Sequence, residues 1–166
     1  EDIFRSVQDK TLDYGMIPIE NSLAGSVHKN IDLLNKYHLK IVGEVYLRVE
    51  HNLLGVKGSK LEDIKEVYSH WQALAQCEDS IKKLLPQAKS CEHYDTAGSA
   101  EYVAQLGDKT KASIASSLAA KTYDLEILAS NFEDNKNNYT RFVVINEDYE
   151  DLDKSGIQKH KKIGRA

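Results

Sequence analysis

Cysteine is scarce: Cys77 and Cys91 are the only two in 166 residues, too few for a disulfide scaffold and in no CxxC or Cys/His spacing that would hold zinc. A reduced pair is the plain reading, and the helical apolar spacing of Cys77 suits core packing. No apolar run reaches the ~20 residues that cross a bilayer, so no membrane partner is expected. Basic charge is not in excess: 22 Lys and Arg stand against 26 Asp and Glu, a net of −4, which argues against nucleic acid as a partner. A small anionic ligand is still compatible, because local groups decide that and not the total. There is no phosphate-binding glycine loop and no cluster of metal-ligand spacing, so neither a cofactor nor a metal is expected. What is present is an ordinary globular mixture, 41% hydrophobic and 29% charged, sufficient for one domain or two small lobes. The first residue is Glu1, and Ile3, Phe4 and Val7 already share a helical face with no cap before them. The natural N-terminus is therefore expected upstream, the lack of a leader carries little weight, and the cytoplasm is the expected location.

One theme recurs along the chain. A short apolar strand ends in small polar residues, and a helix starts there. Met16-Ile17-Pro18-Ile19 leads into Glu20-Asn21-Ser22 and a helix carrying Val27, Ile31 and Leu34. Glu66-Val67-Tyr68 leads into Ser69-His70 and a helix with Leu74, Cys77, Ile81 and Leu84, where Ser69 and Gln72 fit a capping box. Cys91 to Tyr94 precedes Asp95-Thr96 and a helix with Ala100, Val103, Ala104 and Leu106; Ala112 to Ala115 precedes Ser116-Ser117 and a helix with Leu118, Ala119 and Tyr123. The alternation predicts an α/β fold with largely parallel sheet. In such sheets ligands gather beyond the carboxyl ends of the strands, where helix N-termini present free N–H groups. Any one switch reads first as an ordinary N-cap. Four together suggest a crevice for a small oxygen-rich anion. Lys40 to Val49 and Arg141 to Ile145 read as further strands. Residues 131–138 (Asn-Phe-Glu-Asp-Asn-Lys-Asn-Asn) are too polar for a core element and predict a surface loop. Residues 148–166, with Lys159-His160-Lys161-Lys162, predict a linker or frayed tail.

Five segments carry a resemblance. They are Asp13-Tyr14-Gly15-Met16-Ile17-Pro18-Ile19-Glu20-Asn21-Ser22 with Gly25-Ser26-Val27, then His51-Asn52-Leu53-Leu54, then Ser69-His70-Trp71-Gln72-Ala73-Leu74-Ala75-Gln76-Cys77, then Asp95-Thr96-Ala97-Gly98-Ser99-Ala100, and last Asn138-Tyr139-Thr140-Arg141-Phe142. In this order they resemble the DYGVVPIENS…GSV, His-x-Leu-Leu, SHPQALAQC, DTAGAA and NxTRF segments of the prephenate dehydratase family, over about Asp13 to Ile145. The sequence departs from the family at Trp71 and Arg48, where proline is usual or frequent. It also lacks the family's opening strand with a GPxGT-type loop and the regulatory ACT domain, so no feedback by phenylalanine is expected of this chain.

The resemblance implies two α/β lobes with an interlobe cleft, similar to the type 2 periplasmic-binding fold. The first lobe would take 1–47 plus 138–147, the second 48–137, with 148–166 as the tail. It implies decarboxylating dehydration of prephenate to phenylpyruvate on the way to L-phenylalanine, with Thr140 acting on the leaving hydroxyl. An alcohol is a poor acid near neutral pH, so Thr140 is better seen as a donor or relay; a Thr beside a strand is also simply common. Arg141 is open to two roles, a bidentate clamp on a carboxylate or a brace to an acid such as Glu20, and strand alternation turns it away from Thr140. Phe142 faces with Thr140, as an apolar wall for the ring or as core. Asn21, Ser22, Ser69, Gln72, Thr96 and Ala97, at the three motif-bearing switches, would bind the carboxylates and ketone. His70, beside a helix start, is the second candidate proton donor; His51 reads as structural, and His28, His38, His93 and His160 as solvated. A homodimer or larger homo-oligomer is implied. Three readings stay open: a prephenate or arogenate dehydratase, a non-catalytic small-anion-binding module of the same fold, and a truncated chain that folds with a partner completing its sheet.

Overall fold

The computed structural model describes residues 1–147 and the backbone of Ile163–Arg165. The chain divides into two units, Glu1–Val49 with the segment returning from Asn137, and Glu50–Lys136. The first unit contains α1 (Asp2–Gln8), β1 (Tyr14–Asn21), β2 (Gly25–Ser26), α2 (His28–Tyr37), β3 (Lys40–Arg48), β9 (Tyr139–Asn146) and β10 (Ile163–Arg165). Its sheet runs β10-β1-β9-β3, with β2 folded back on β1. Strand alternation places Ile17, Val143 and Ile145 on one face, where Phe4 and Val7 of α1 and Leu33 of α2 close over them. Burial of such side chains contributes on the order of 1.5–3 kcal/mol each. Helix α1 sits so close to β1 that a Cβ on Gly15 would lie 2.7 Å from Ile3 Cγ2.

Two expectations change in this unit. The segment after Glu20-Asn21-Ser22 is not a switch into a helix. It is a tight hairpin into β2, turned at Gly25 with φ +82°, and the helix waits until His28. Helix α2 docks through Leu33, Leu34 and Tyr37, while Ile31 is exposed. Of residues 148–166, read as a linker or frayed tail, 148–162 and 166 lie outside the described residues, while Ile163–Arg165 form β10, parallel to Tyr14–Met16 of β1. The physical reason is the unpaired N–H and C=O row that an outer β1 would present.

The second unit contains β4 (Asn52–Gly55), β5 (Glu66–Ser69), α3 (Trp71–Gln76), α4 (Glu78–Leu84), β6 (Lys89–Glu92), α5 (Thr96–Leu106), β7 (Lys111–Ala115), α6 (Ser117–Thr122) and β8 (Glu126–Ala129). Its sheet runs β6-β5-β7-β4-β8. Both faces are covered, one by Ala73, Cys77, Ile81 and Phe132, the other by Ala100, Val103, Ala119 and Ala120, which is why β4 and β7 are buried without alternation. In this sheet β6, β5 and β7 are parallel and β4 is antiparallel to β7 and β8; in the first unit's sheet β9 is antiparallel to β1 and β3, and β10 is parallel to β1. The expectation of largely parallel sheet fails because parallel neighbours need a helical crossover, and only the run from β5 to β7 supplies them in sequence.

The helix expected across Leu74 to Leu84 breaks at Cys77, whose backbone (φ −122°, ψ 15°) leaves helical geometry between α3 and α4. Residues 131–138 form a loop, as expected, with Asn131 and 134–137 exposed, but the loop is pinned to the second unit's core at Phe132 and Glu133. Phe132 and Glu133 are 2% exposed, the Phe132 N–H donates to His51 O at 2.8 Å, and Asp134 accepts from the Asp79 and Ser80 N–H groups at 3.0 and 2.9 Å, capping α4. Polarity here reflects solvation at the exposed positions and, at Asp134 and Glu133, capping and a buried carboxylate.

Candidate active site

Within the first unit the end of β1 lies against the start of β9, with Asn21 opposite Thr140. The carboxamide of Asn21 organises this corner. Its Oδ1 accepts the Leu23 and Ala24 N–H groups at 3.0 and 2.9 Å, and its Nδ2 donates to Asn138 Oδ1 at 2.8 Å and to Thr140 Oγ1 at 3.0 Å. Ser22 Oγ donates to Asn137 O and accepts the Tyr139 N–H, both at 2.9 Å. Asn21 and Ser22, expected to contact a ligand, are therefore engaged in holding the hairpin and the start of β9. Thr140 and Phe142 alternate onto one face of β9 and are half-buried.

Arg141 turns to the opposite face. There Glu44 takes its guanidinium at 2.8 Å to Nε and 2.6 Å to Nη2, Glu20 lies 3.9 Å away, and the Tyr46 ring is 5.8 Å from Cζ. The Glu44 carboxylate holds the Arg141 pKa above its ordinary value. Arg141 is thus ion-paired on that face, with Glu44 and not Glu20 as its principal partner. Glu20, Ser22, Tyr46, Tyr139 and Arg141 line a recess of about 270 Å³ on that side.

In the second unit the carboxyl ends of β6, β5 and β7 lie side by side and open into α5, α3 and α6. Ser69 closes β5. It is fully buried and its Oγ donates to Ile114 O at 2.7 Å, so it is neither the cap of α3 nor a free ligand donor. The expected capping box is replaced by His70, whose Nδ1 accepts the Gln72 N–H at 3.3 Å. The cap fixes the neutral tautomer: Nδ1 accepts, so the proton rides on Nε2. The Gln72 side chain is exposed, and Trp71 is 55% exposed with its ring 5.6 Å from that of His70. Asp95 caps α5 at the Gly98 N–H, leaving Thr96 half-buried and Ala97 exposed in the first turn. Gly98 packs against His93, whose Cε1 would be 3.3 Å from an added Cβ.

Three residues escaped the sequence reading. Asn138, fully buried, is the partner of Asn21. Its signal was its place at the head of the Asn-Tyr-Thr-Arg-Phe segment. Glu133 accepts the His51 N–H at 2.9 Å, and His51 Nε2 lies 2.9 Å from Gln76 Oε1, which places His51 in a structural role. His93 is not a solvated residue: its ring stacks on Tyr102 at 5.6 Å with Nδ1 enclosed. Beside it, Tyr68 donates to the Glu66 carboxylate, which also receives Lys111 Nζ. The hydrogen bond to Glu66 pushes the Tyr68 phenol up to about 12, and the bonds from Lys111 and Tyr68 lower Glu66.

The family model described as prephenate dehydratase matches residues 1–150. An arogenate dehydratase/prephenate dehydratase of Arabidopsis thaliana, described as chloroplastic, is 48% identical over 145 residues, 87% of this chain and 36% of its own length. The chain thus spans roughly a third of the length of curated relatives that it matches. Among solved structures, the prephenate dehydratase of Arthrobacter aurescens in complex with L-Phe is 31% identical with a TM-score of 0.75, covering 87% of this chain and 48% of that one. A protein described as GqqA, a novel type of quorum quenching acylase, is 40% identical with a TM-score of 0.76, covering 90% of this chain and 53% of that one.

Proposed function

The chain belongs to the prephenate dehydratase family, and on that premise we propose that it carries the dehydratase chemistry: prephenate loses its ring carboxylate as carbon dioxide and its hydroxyl as water, giving phenylpyruvate. The observation that carries the proposal is the Asn21–Thr140 contact at 3.0 Å. An amide N–H can only donate, so it engages a lone pair of Thr140 Oγ1 and leaves the hydroxyl proton for another acceptor. In this reading the acceptor is the leaving hydroxyl. As the carboxyl–carbon bond breaks, its electron pair enters the ring, the carbon–oxygen bond breaks, and Thr140 passes its hydroxyl proton to the departing hydroxide, which leaves as water, while Thr140 regains a proton from solvent. Aromatisation supplies the driving force, so orientation and one well-placed donor are the protein's contribution. Phe142, on the same face, is an apolar wall for the ring. The second unit has anion-binding candidates of its own at helix starts, His70 and Gln72 at α3 and Thr96 and Ala97 at α5.

The printed names of the relatives leave the substrate as prephenate or arogenate. These differ by a keto group in one and an ammonium in the other. Arg141 is held by Glu44 and Ser69 by Ile114 O, so neither is placed to tell the two apart. An acylase reading is less well supported. Ser22 and Ser69 hydroxyls donate to backbone carbonyls and not to a base, and burial pushes the Cys77 thiol up, the reverse of an activated nucleophile. Cys77 and Cys91 are free thiols, which supports a reducing compartment such as the cytoplasm. Assembly into a homodimer or larger is also proposed, supported by β3, outermost in its described sheet with Ile41, Tyr46 and Leu47 exposed. The chain should be given prephenate and arogenate separately, with phenylpyruvate and phenylalanine as the two readouts. Turnover of prephenate is expected; inertness of the folded chain toward both would leave the anion-binding module as the better reading.

A further inference from the structure

We propose that Asn138 is a positioning residue for Thr140, acting through Asn21; the proposal rests on the dehydratase reading above. The orientation of the Asn21 carboxamide is not arbitrary. Two backbone N–H groups, of Leu23 and Ala24, lie 3.0 and 2.9 Å from Oδ1, and such groups can only donate. The Asn21 nitrogen must therefore face β9. It carries two hydrogens, and three acceptors stand within reach: Asn138 Oδ1 at 2.8 Å, Thr140 Oγ1 at 3.0 Å and Tyr139 O at 3.3 Å. Asn138 Oδ1 is the shortest of the three. Asn138 is itself immobilised, with no exposed surface and with its backbone carbonyl accepting the Val49 N–H at 2.8 Å.

The consequence is a choice between two states of Asn21. In the state present, Thr140 oxygen is an acceptor and its proton is free to be given. In the flipped state, Asn21 Oδ1 would accept the Thr140 proton and two backbone donors of the hairpin would face an NH₂ group. A buried acceptor at Asn138 favours the first state and penalises the second, because Oδ1 would then face Oδ1. Asn138 thus sets the direction of the hydrogen bond at Thr140 without touching substrate.

The test compares the natural chain with Asn138→Ala and Asn138→Asp, the second keeping an oxygen toward Asn21. Prephenate turnover is measured as kcat and KM separately. The Asn21 side-chain amide is followed by NMR in the natural chain and in both variants. Loss of positioning lowers kcat by about 10- to 100-fold while KM moves by less than about 3-fold. Asn138→Asp recovers most of kcat. In the natural chain one Asn21 amide proton is protected from solvent exchange, and that protection is lost in Asn138→Ala. A folded Asn138→Ala with kcat unchanged overturns the proposal, as does an equal fall in both variants. Exchange of both Asn21 amide protons at the rate of a free amide in the natural chain overturns it without recourse to any variant. A folded natural chain that does not turn over prephenate removes the dehydratase reading and this proposal with it, whereas active natural chain with an indifferent Asn138 removes the proposal alone.

Discussion

Single residues here are read best by asking which of their atoms are already engaged. Tyr68 is the clearest case outside the candidate site. Its phenol is held from an ordinary 10 up to about 12 by the Glu66 carboxylate it donates to. A pKa raised in the folded state gives stability that is fully present below pH 10 and is lost as pH climbs through about 12. Chemical denaturation from pH 9 upward should therefore show the natural chain losing stability across that window, with Tyr68→Phe starting lower and falling less. Parallel profiles for the two chains would show that the Glu66 contact does not govern Tyr68. The same accounting explains what the sequence did and did not disclose about the site. The segment from Asn138 to Phe142 located Thr140, and strand alternation correctly separated Arg141 from it. Residue type alone could not show that Asn21 and Ser22 spend their polar groups on a hairpin, or that Ser69 spends its hydroxyl on Ile114 O. A donor and a satisfied donor are spelled alike.

At the scale of elements, hydrophobic spacing identified most strands and helices, and failed where a connection was decided by distant chain. The turn after Asn21 follows β1 back on itself because β9, more than a hundred residues later, supplies the partners that hold it. The break at Cys77 divides one amphipathic pattern into two helices, and the second is capped by Asp134 from far along the chain. The loop at 131–138 was legible, but its polarity masked the docking of Phe132 and Glu133. Phe132 fills the core beneath α3 and α4, so Phe132→Ala is expected to cost on the order of 3–5 kcal/mol and to lower the melting temperature of the chain. Calorimetry or thermal circular dichroism reads this directly. A melting temperature within a degree of the natural chain would mean that the segment is not docked in solution. Asp134 and Glu133 work with Phe132, the first at the α4 N-terminus and the second on the His51 N–H, so the segment ties β4, α3 and α4 together within the second unit.

For the molecule as a whole, each unit has a polar corner of its own. The first offers a threonine whose oxygen is held by an amide and whose proton is available; the second offers helix starts and a histidine whose tautomer is set by a cap. The family assignment covers residues 1–150, nearly all that the structure describes, while the match to longer relatives makes substrate choice, regulation and assembly matters for experiment. The measurement that tests the central claim most directly is the rate of phenylpyruvate formation from prephenate by the natural chain and by Thr140→Ala, each first shown to be folded. The account predicts turnover in the first and a loss of about 100-fold or more in kcat in the second, the size of a missing proton or hydrogen-bond donor. Equal rates in the two chains would contradict it, because the chemistry would then run without the hydroxyl that the whole arrangement around Asn21 and Asn138 holds in place.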